Sequence, residues 1–157
     1  MPTFDSTAAL KAEILNRSEK AVASAKQRVY EKIDEFLHGY YSDYTPEEYI
    51  RTKQLLRSLV QTKVKSIGNG WEAEVYFDAS KLNYKKGVMP LQHTPEHGRY
   101  GWATWGADEV LSTALHGSHG GYVRTAPIYG RSLNFLNSHA INILVDSLHA
   151  AGVPVVK

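Results

Sequence analysis

The sequence contains no cysteine. That absence excludes a disulfide framework, a thiolate zinc site, an iron–sulfur cluster and a cysteine nucleophile, and it fits a reducing compartment. An excess of one charge is missing too. The 18 Lys and Arg stand against 16 Asp and Glu, a formal charge of +2 at pH 7, whereas nucleic-acid binders usually concentrate a basic patch. No apolar run approaches the ~18 residues of a membrane span. The start, Met1-Pro2-Thr3-Phe4-Asp5, lacks the basic and apolar regions of a signal peptide. Internal repeats, low-complexity tracts and linkers are also absent. What remains is a chain of 157 residues, 43% hydrophobic and 22% charged. Its length predicts one domain and its composition a packed core.

Apolar residues recur at helical spacing from the N-terminus: Leu10, Ile14, Ala21, Ala25, Val29, Ile33 and Leu37, widened by Leu15, Val22 and Phe36. The pattern predicts one long helix over about residues 6–39, capped by Asp5 or Ser6 and stopped at Gly39. At 1.5 Å per residue such a helix spans about 50 Å. A domain of this size has a radius of gyration of roughly 15 Å. The helix therefore overhangs its domain and needs a cover, or it breaks near Ser18 or Ser24. A tyrosine-rich turn follows, with Tyr40, Tyr41, Tyr44 and Tyr49, and Thr45-Pro46-Glu47-Glu48 has the pattern of a capping box. Residues 55–79 read as a β-hairpin around Asn69-Gly70, the dipeptide preferred in a type I′ turn. With that loop Lys65 faces Glu74, and Val60, Thr62, Val64, Trp71, Ala73, Val75 and Phe77 share the core face.

Residues 80–106 carry repeated glycines and prolines and read as an extended loop, in which Tyr100, Trp102 and Trp105 are aromatic anchors for a partner. A short helix is predicted over about 107–115, then a second irregular stretch to Arg131 that contains Tyr122, Arg124 and Tyr129. Ser132 is placed to cap a last helix over about 133–151, with a stripe of Leu133, Leu136, Ala140, Ile143, Leu144 and Leu148 and a stop at Gly152 and Pro154. The order of elements predicts an α+β fold: a long N-terminal helix and a C-terminal helix packed on a small antiparallel sheet with long loops.

Chemistry-bearing patterns are sparse. His93 and His97 stand four apart, but Pro95 between them opposes a helix and the order is not the metalloprotease His-Glu-x-x-His. His116 and His119 flank a Gly-Ser pair and lack an evident third ligand, so a metal-dependent hydrolase is the weakest of the readings. There is no Gly-x-Ser-x-Gly elbow and no phosphate-binding loop. Arg51, Lys53, Arg57, Lys63 and Lys65 offer a basic segment, with Tyr49 as a stacking residue, for the alternative of a nucleic-acid-binding module. No catalytic residue, cofactor or metal is assigned.

The run from Tyr40-Tyr41 through Tyr44, Thr45-Pro46, Tyr49 and Arg51-Thr52 to Leu55-Leu56-Arg57-Ser58-Leu59 resembles the tail-completion and head–tail connector (neck) proteins of long-tailed bacteriophages. In those proteins a helix precedes a tyrosine-rich turn and an Arg-Thr segment that enters a strand. Residues 110–121 and 135–152 resemble later parts of the same family, and only residues 86–106 have no counterpart. The resemblance implies a ring-forming structural subunit of a phage or phage-tail-like particle, usually a hexamer, located in the virion at the head–tail joint or the top of the tail. Its implied partners are copies of itself, neighbouring connector proteins and tail-tube or tail-terminator proteins. DNA passes through the channel without sequence-specific contact, and no membrane is involved. On this reading Tyr100, Trp102, Trp105, Tyr122, Arg124 and Tyr129 are subunit contacts. Tyr49, Arg51, Thr52, Asn69 and Gly70 shape turns.

Overall fold

The computed structural model describes residues 5–42, 53–82, 87–90, 102–105, 107–116 and 128–155. The fold is α+β. Its elements are α1 (Thr7–Ser42), α2 (Gln54–Ser58), β1 (Leu59–Gln61), β2 (Lys65–Ile67), β3 (Gly70–Glu72), β4 (Val75–Phe77), a 3₁₀ turn (Ala79–Leu82), β5 (Gly87–Pro90), β6 (Trp102–Trp105), α3 (Ala107–His116) and α4 (Ile128–Ala150). The strands pair as β1 with β4, β2 with β3 and β5 with β6.

The chain divides into two compact units. The first holds the described residues of Met1–Lys32, Gln61–Tyr76 and Phe135–Lys157, the second those of Ile33–Val60 and Phe77–Asn134. This division accounts for the length of α1. The helix runs unbroken for 36 residues, about 54 Å, with no kink at Ser18 or Ser24. Its first part contributes the buried Ala21 to one unit, and its last turns contribute the buried Ile33 and Leu37 to the other. Only near the N-terminus does the apolar stripe stay open, at Leu10 and Ile14. Ser6 is the cap, its Oγ accepting from the backbone N–H of Ala9 at 3.1 Å. Gly39 does not end the helix, which continues to Ser42. Burial of Leu37 holds the final turns, and that outweighs the roughly 1 kcal/mol by which glycine disfavours a helix interior.

In the first unit the β2–β3 hairpin docks on α1 through three side chains. Trp71 Nε1 donates to Leu15 O at 2.8 Å, Lys26 Nζ to Thr62 O at 2.8 Å, and Gln61 Nε2 to Gln27 Oε1 at 3.1 Å. The alternation is as the sequence predicts: Thr62, Val64, Trp71, Ala73 and Val75 are half-buried, while Lys63, Lys65, Glu72, Glu74 and Tyr76 are exposed. The register is not. Ile67 lies opposite Gly70, Ser66 opposite Trp71 and Lys65 opposite Glu72, so the loop is Gly68-Asn69 and not Asn69-Gly70. Gly68 has φ +63°, and Asn69 has no positive φ. Glycine first in the loop is the type II′ arrangement, which suits hairpin twist as well as type I′ does. The pairing moves by two residues, so each side chain keeps its face. Below the hairpin Thr62 pairs with Glu74, the Thr62 N–H donating to Glu74 O at 3.0 Å, and the first arm there carries one residue more than the second, a bulge.

Helix α4 ends in a Schellman motif: Val153 N–H donates to Leu148 O at 2.9 Å and Gly152 N–H to His149 O at 2.9 Å, with Gly152 at φ +77°. Arg17, itself paired with Glu13 at 2.7 Å, donates from NH1 to Gly152 O at 2.9 Å. Arg28 NH1 reaches Ile143 O at 3.5 Å and Asp146 at 3.7 Å.

In the second unit the buried residues are Ile33, Leu37, Leu55, Leu59, Leu82, Leu111, Leu115 and Ile128. Residues 54–58, read from sequence as the start of a strand, form the short helix α2. Its Leu55 and Ser58 are buried, and Ser58 Oγ donates to Leu55 O at 2.7 Å. Both α2 and α3 pack on the 3₁₀ turn. That turn is opened by Asp78, whose Oδ1 accepts from Ser80 N–H at 2.9 Å and Ser80 Oγ at 2.6 Å. The stretch 80–106 is not loop throughout, because β5 and β6 pair antiparallel within it. Helix α3 ends at His116, one residue beyond expectation. Helix α4 begins at Ile128, five residues before the predicted start, so Ser132 lies inside it and does not cap it. Pro127, just ahead of Ile128, suits a helix start because its missing N–H would have no partner there. The buried Ile128 fixes that turn in the core.

Candidate functional site

The aromatic contact residues inferred from sequence fall in different settings. Trp102 and Trp105 occupy the two ends of β6, opposite Pro90 and Gly87 of β5, so the backbone around both is strand and not loop. Pro90 at the end of β5 occupies a position where a missing N–H is tolerated. Tyr129 lies in the first turn of α4, half exposed, with its ring stacked on His116 at 4.8 Å and an interplanar angle of 28°. Tyr100, Tyr122 and Arg124 lie outside the described residues, as do the turn residues Tyr49, Arg51 and Thr52. Of the turn residues inside them, Asn69 stands in the hairpin loop and Gly70 begins β3.

The histidines of the described residues are each bonded to a backbone carbonyl: His38 to Asp34 O at 2.9 Å, His116 to Ser112 O at 2.8 Å, His139 to Phe135 O at 3.1 Å and His149 to Val155 O at 3.2 Å. A carbonyl only accepts, so the contacting ring nitrogen carries the proton in each case. For His38, His116 and His139 that nitrogen is Nδ1, which leaves Nε2 as the ring's remaining site. Among the described residues no three His, Cys, Asp or Glu side chains stand together as a metal site. His93, His97 and His119 lie outside them.

The basic segment is divided. Lys53 and Arg57 are exposed at α2 in the second unit, and Lys63 and Lys65 are exposed on the hairpin arm in the first. Lys65 faces Glu72 across the hairpin, a cross-strand pair of opposite charge that stabilises by a few tenths of a kcal/mol to about 1 kcal/mol. Lys53 itself is left-handed, φ 56° and ψ 22°, and supplies no side-chain cap to α2. No described helix is long and apolar enough to cross a membrane.

The feature that sequence reading missed is apolar side chains left in solvent. Tyr129 and Leu133 of the second unit are 50% and 44% exposed. In the first unit Ile141 is 79% exposed, with Leu144, Ile67, Tyr76, Leu10 and Ile14 between 39% and 53%. Leu133 and Leu144 were expected in the core stripe of the last helix. The buried face of α4 runs instead through Ile128, Ile143 and Ser147. The available signal was Ile141, which falls outside the predicted stripe.

Comparison with known proteins gives one family. The YomN family matches residues 6–146, nearly the whole chain, and the chain belongs to it. The family is phage-associated, from Bacillus prophage. No curated protein and no solved structure matches.

Proposed function

We propose, from membership of a phage-associated family, that this chain is a structural subunit of a phage or phage-tail-like particle. Its role is to form a ring, most simply a hexamer, as a tail-completion or head–tail connector protein. In that role it meets further copies of itself, neighbouring connector proteins and the tail tube or its terminator, within the virion. DNA passes through the ring without base-specific contact.

The observation that supports this reading is the number of large apolar side chains exposed on both units, headed by Ile141 at 79% and Tyr129 at 50%. Contiguous apolar surface of this kind marks contact sites in soluble proteins. A structural role also fits a chain whose described histidines are occupied with backbone carbonyls. The test is the copy number of this chain in purified particles, measured by quantitative mass spectrometry against a capsid protein and by native mass of the released neck. A closed ring gives a fixed multiple. A single copy per particle, or absence from particles, overturns the proposal.

A further inference from the structure

We infer that the outward face of α4 in the first unit is a self-association surface, and that it receives the same face of a second copy of this chain. Asn137, Ile141, Leu144 and Leu148 follow one another at helical spacing. Ile141 is the most exposed large hydrophobic side chain described, and Leu144 is 41% exposed beside it.

The surroundings of this stripe identify its occupant. From Ser132 to Val145 the helix has no Asp, Glu, Lys or Arg, and the exposed positions around Ile141 are Asn137, Ser138, His139 and Asn142. The outward positions of α1 in the same unit are charged, among them Lys11, Lys20 and Glu31. A face without cations offers nothing to phosphates, so nucleic acid is a poor occupant. Helices that lie on membranes set Lys and Arg beside their apolar side, and α4 does not. Depletion of charge around an apolar centre is the compositional mark of an interface core.

Neutrality also favours the face's own copy, because a surface of one charge repels itself and this one does not. Each asparagine amide both donates and accepts, so Asn137 and Asn142 can be satisfied by the same residues of the second copy. The contact is then isologous, the same patch on both partners. The inference rests on the assembly reading, since it names one surface through which copies meet.

The test uses the full chain. Light scattering over a concentration series compares the wild type with Ile141→Glu and Leu144→Glu, and thermal unfolding by circular dichroism verifies that each variant is folded. Because the chain lacks cysteine, Asn142→Cys gives a single thiol on the face, with Lys20→Cys on α1 as control. The wild type should exceed one chain in mass as concentration rises. Each glutamate should weaken association by roughly tenfold or more, with the unfolding midpoint unchanged at the exposed position 141. Oxidised Asn142→Cys should give a linked dimer and Lys20→Cys should not. A wild type that stays monomeric throughout overturns the inference. So do glutamate variants of unchanged mass with no linked Asn142→Cys dimer. The assembly reading is judged separately: particles that incorporate Ile141→Glu at full copy number leave that reading standing and remove this face.

Discussion

Replacing Gly152 with alanine probes the junction that holds the end of α4 to α1. Gly152 has φ +77°, a conformation in which an L residue's Cβ crowds the backbone, and a Cβ built there meets Arg17 NH1 at 2.8 Å. The backbone term for alanine in the left-handed region is about 1 kcal/mol. The close atom is the end of a flexible side chain and can move, but moving it gives up the hydrogen bond that NH1 donates to Gly152 O at 2.9 Å. That bond is charge-assisted but exposed, so its loss costs about 0.5–1 kcal/mol. The total for Gly152→Ala is therefore about 1.5–2 kcal/mol.

The two terms are separable by a double-mutant cycle. With Arg17 already changed to alanine, Gly152→Ala should cost only the backbone term of about 1 kcal/mol. The coupling energy is then about 0.5–1 kcal/mol. Urea unfolding followed by tryptophan fluorescence is the appropriate assay, since Trp71 lies in the same unit as Gly152. The midpoint should fall with little change in the slope. A cost below about 0.3 kcal/mol, or an equal cost with and without Arg17, refutes the reasoning.

Three further predictions follow from single contacts. Ser147 is 2% exposed and its Oγ has no hydrogen-bond partner, so Ser147→Ala should be neutral or stabilising by up to about 1 kcal/mol in the same unfolding assay, where most core changes destabilise. Trp71→Phe removes the indole N–H that donates to Leu15 O and should cost about 1–2 kcal/mol, with hydrogen exchange rising first at the backbone amides of the β2–β3 hairpin. The Asp78 carboxyl is held below its ordinary pKa, chiefly by the Ser80 hydroxyl and then by the Ser80 backbone N–H. A lowered folded pKa means that its contribution is full above the unfolded value near 4 and is lost as pH falls through the folded value. The Asp78→Asn variant should accordingly lose less stability than the wild type between about pH 4 and pH 2, measured by thermal unfolding across that range.

Local patterns with one dominant physical cause were readable without a structure. The helical spacing of Leu10 through Leu37 specified α1, and Ser6 capped it because a side-chain oxygen satisfies an orphan N–H wherever the chain goes. Alternation along residues 60–77 named the faces of the hairpin correctly, since period two survives a shift of two residues. The turn itself was misplaced because Gly68-Asn69-Gly70 holds two overlapping turn signals, and the choice between them depends on where the arms pack. The start of α4 was missed because Ile128 is fixed by burial in a core assembled from distant residues, while Ser132, an apparent cap, is enclosed within the helix.

By itself, then, the sequence determined the α+β class, the two long helices and the hairpin faces, and it excluded cysteine chemistry outright. These follow from periodicity and composition, which act over a few residues. Only the tertiary structure decided that α1 serves two compact units, that residues 54–58 are helical, that β5 pairs with β6, and that Ile141 and Leu144 remain in solvent. The reason is common to all four. Each depends on which apolar faces find partners far along the chain, and that choice follows burial summed over the whole core.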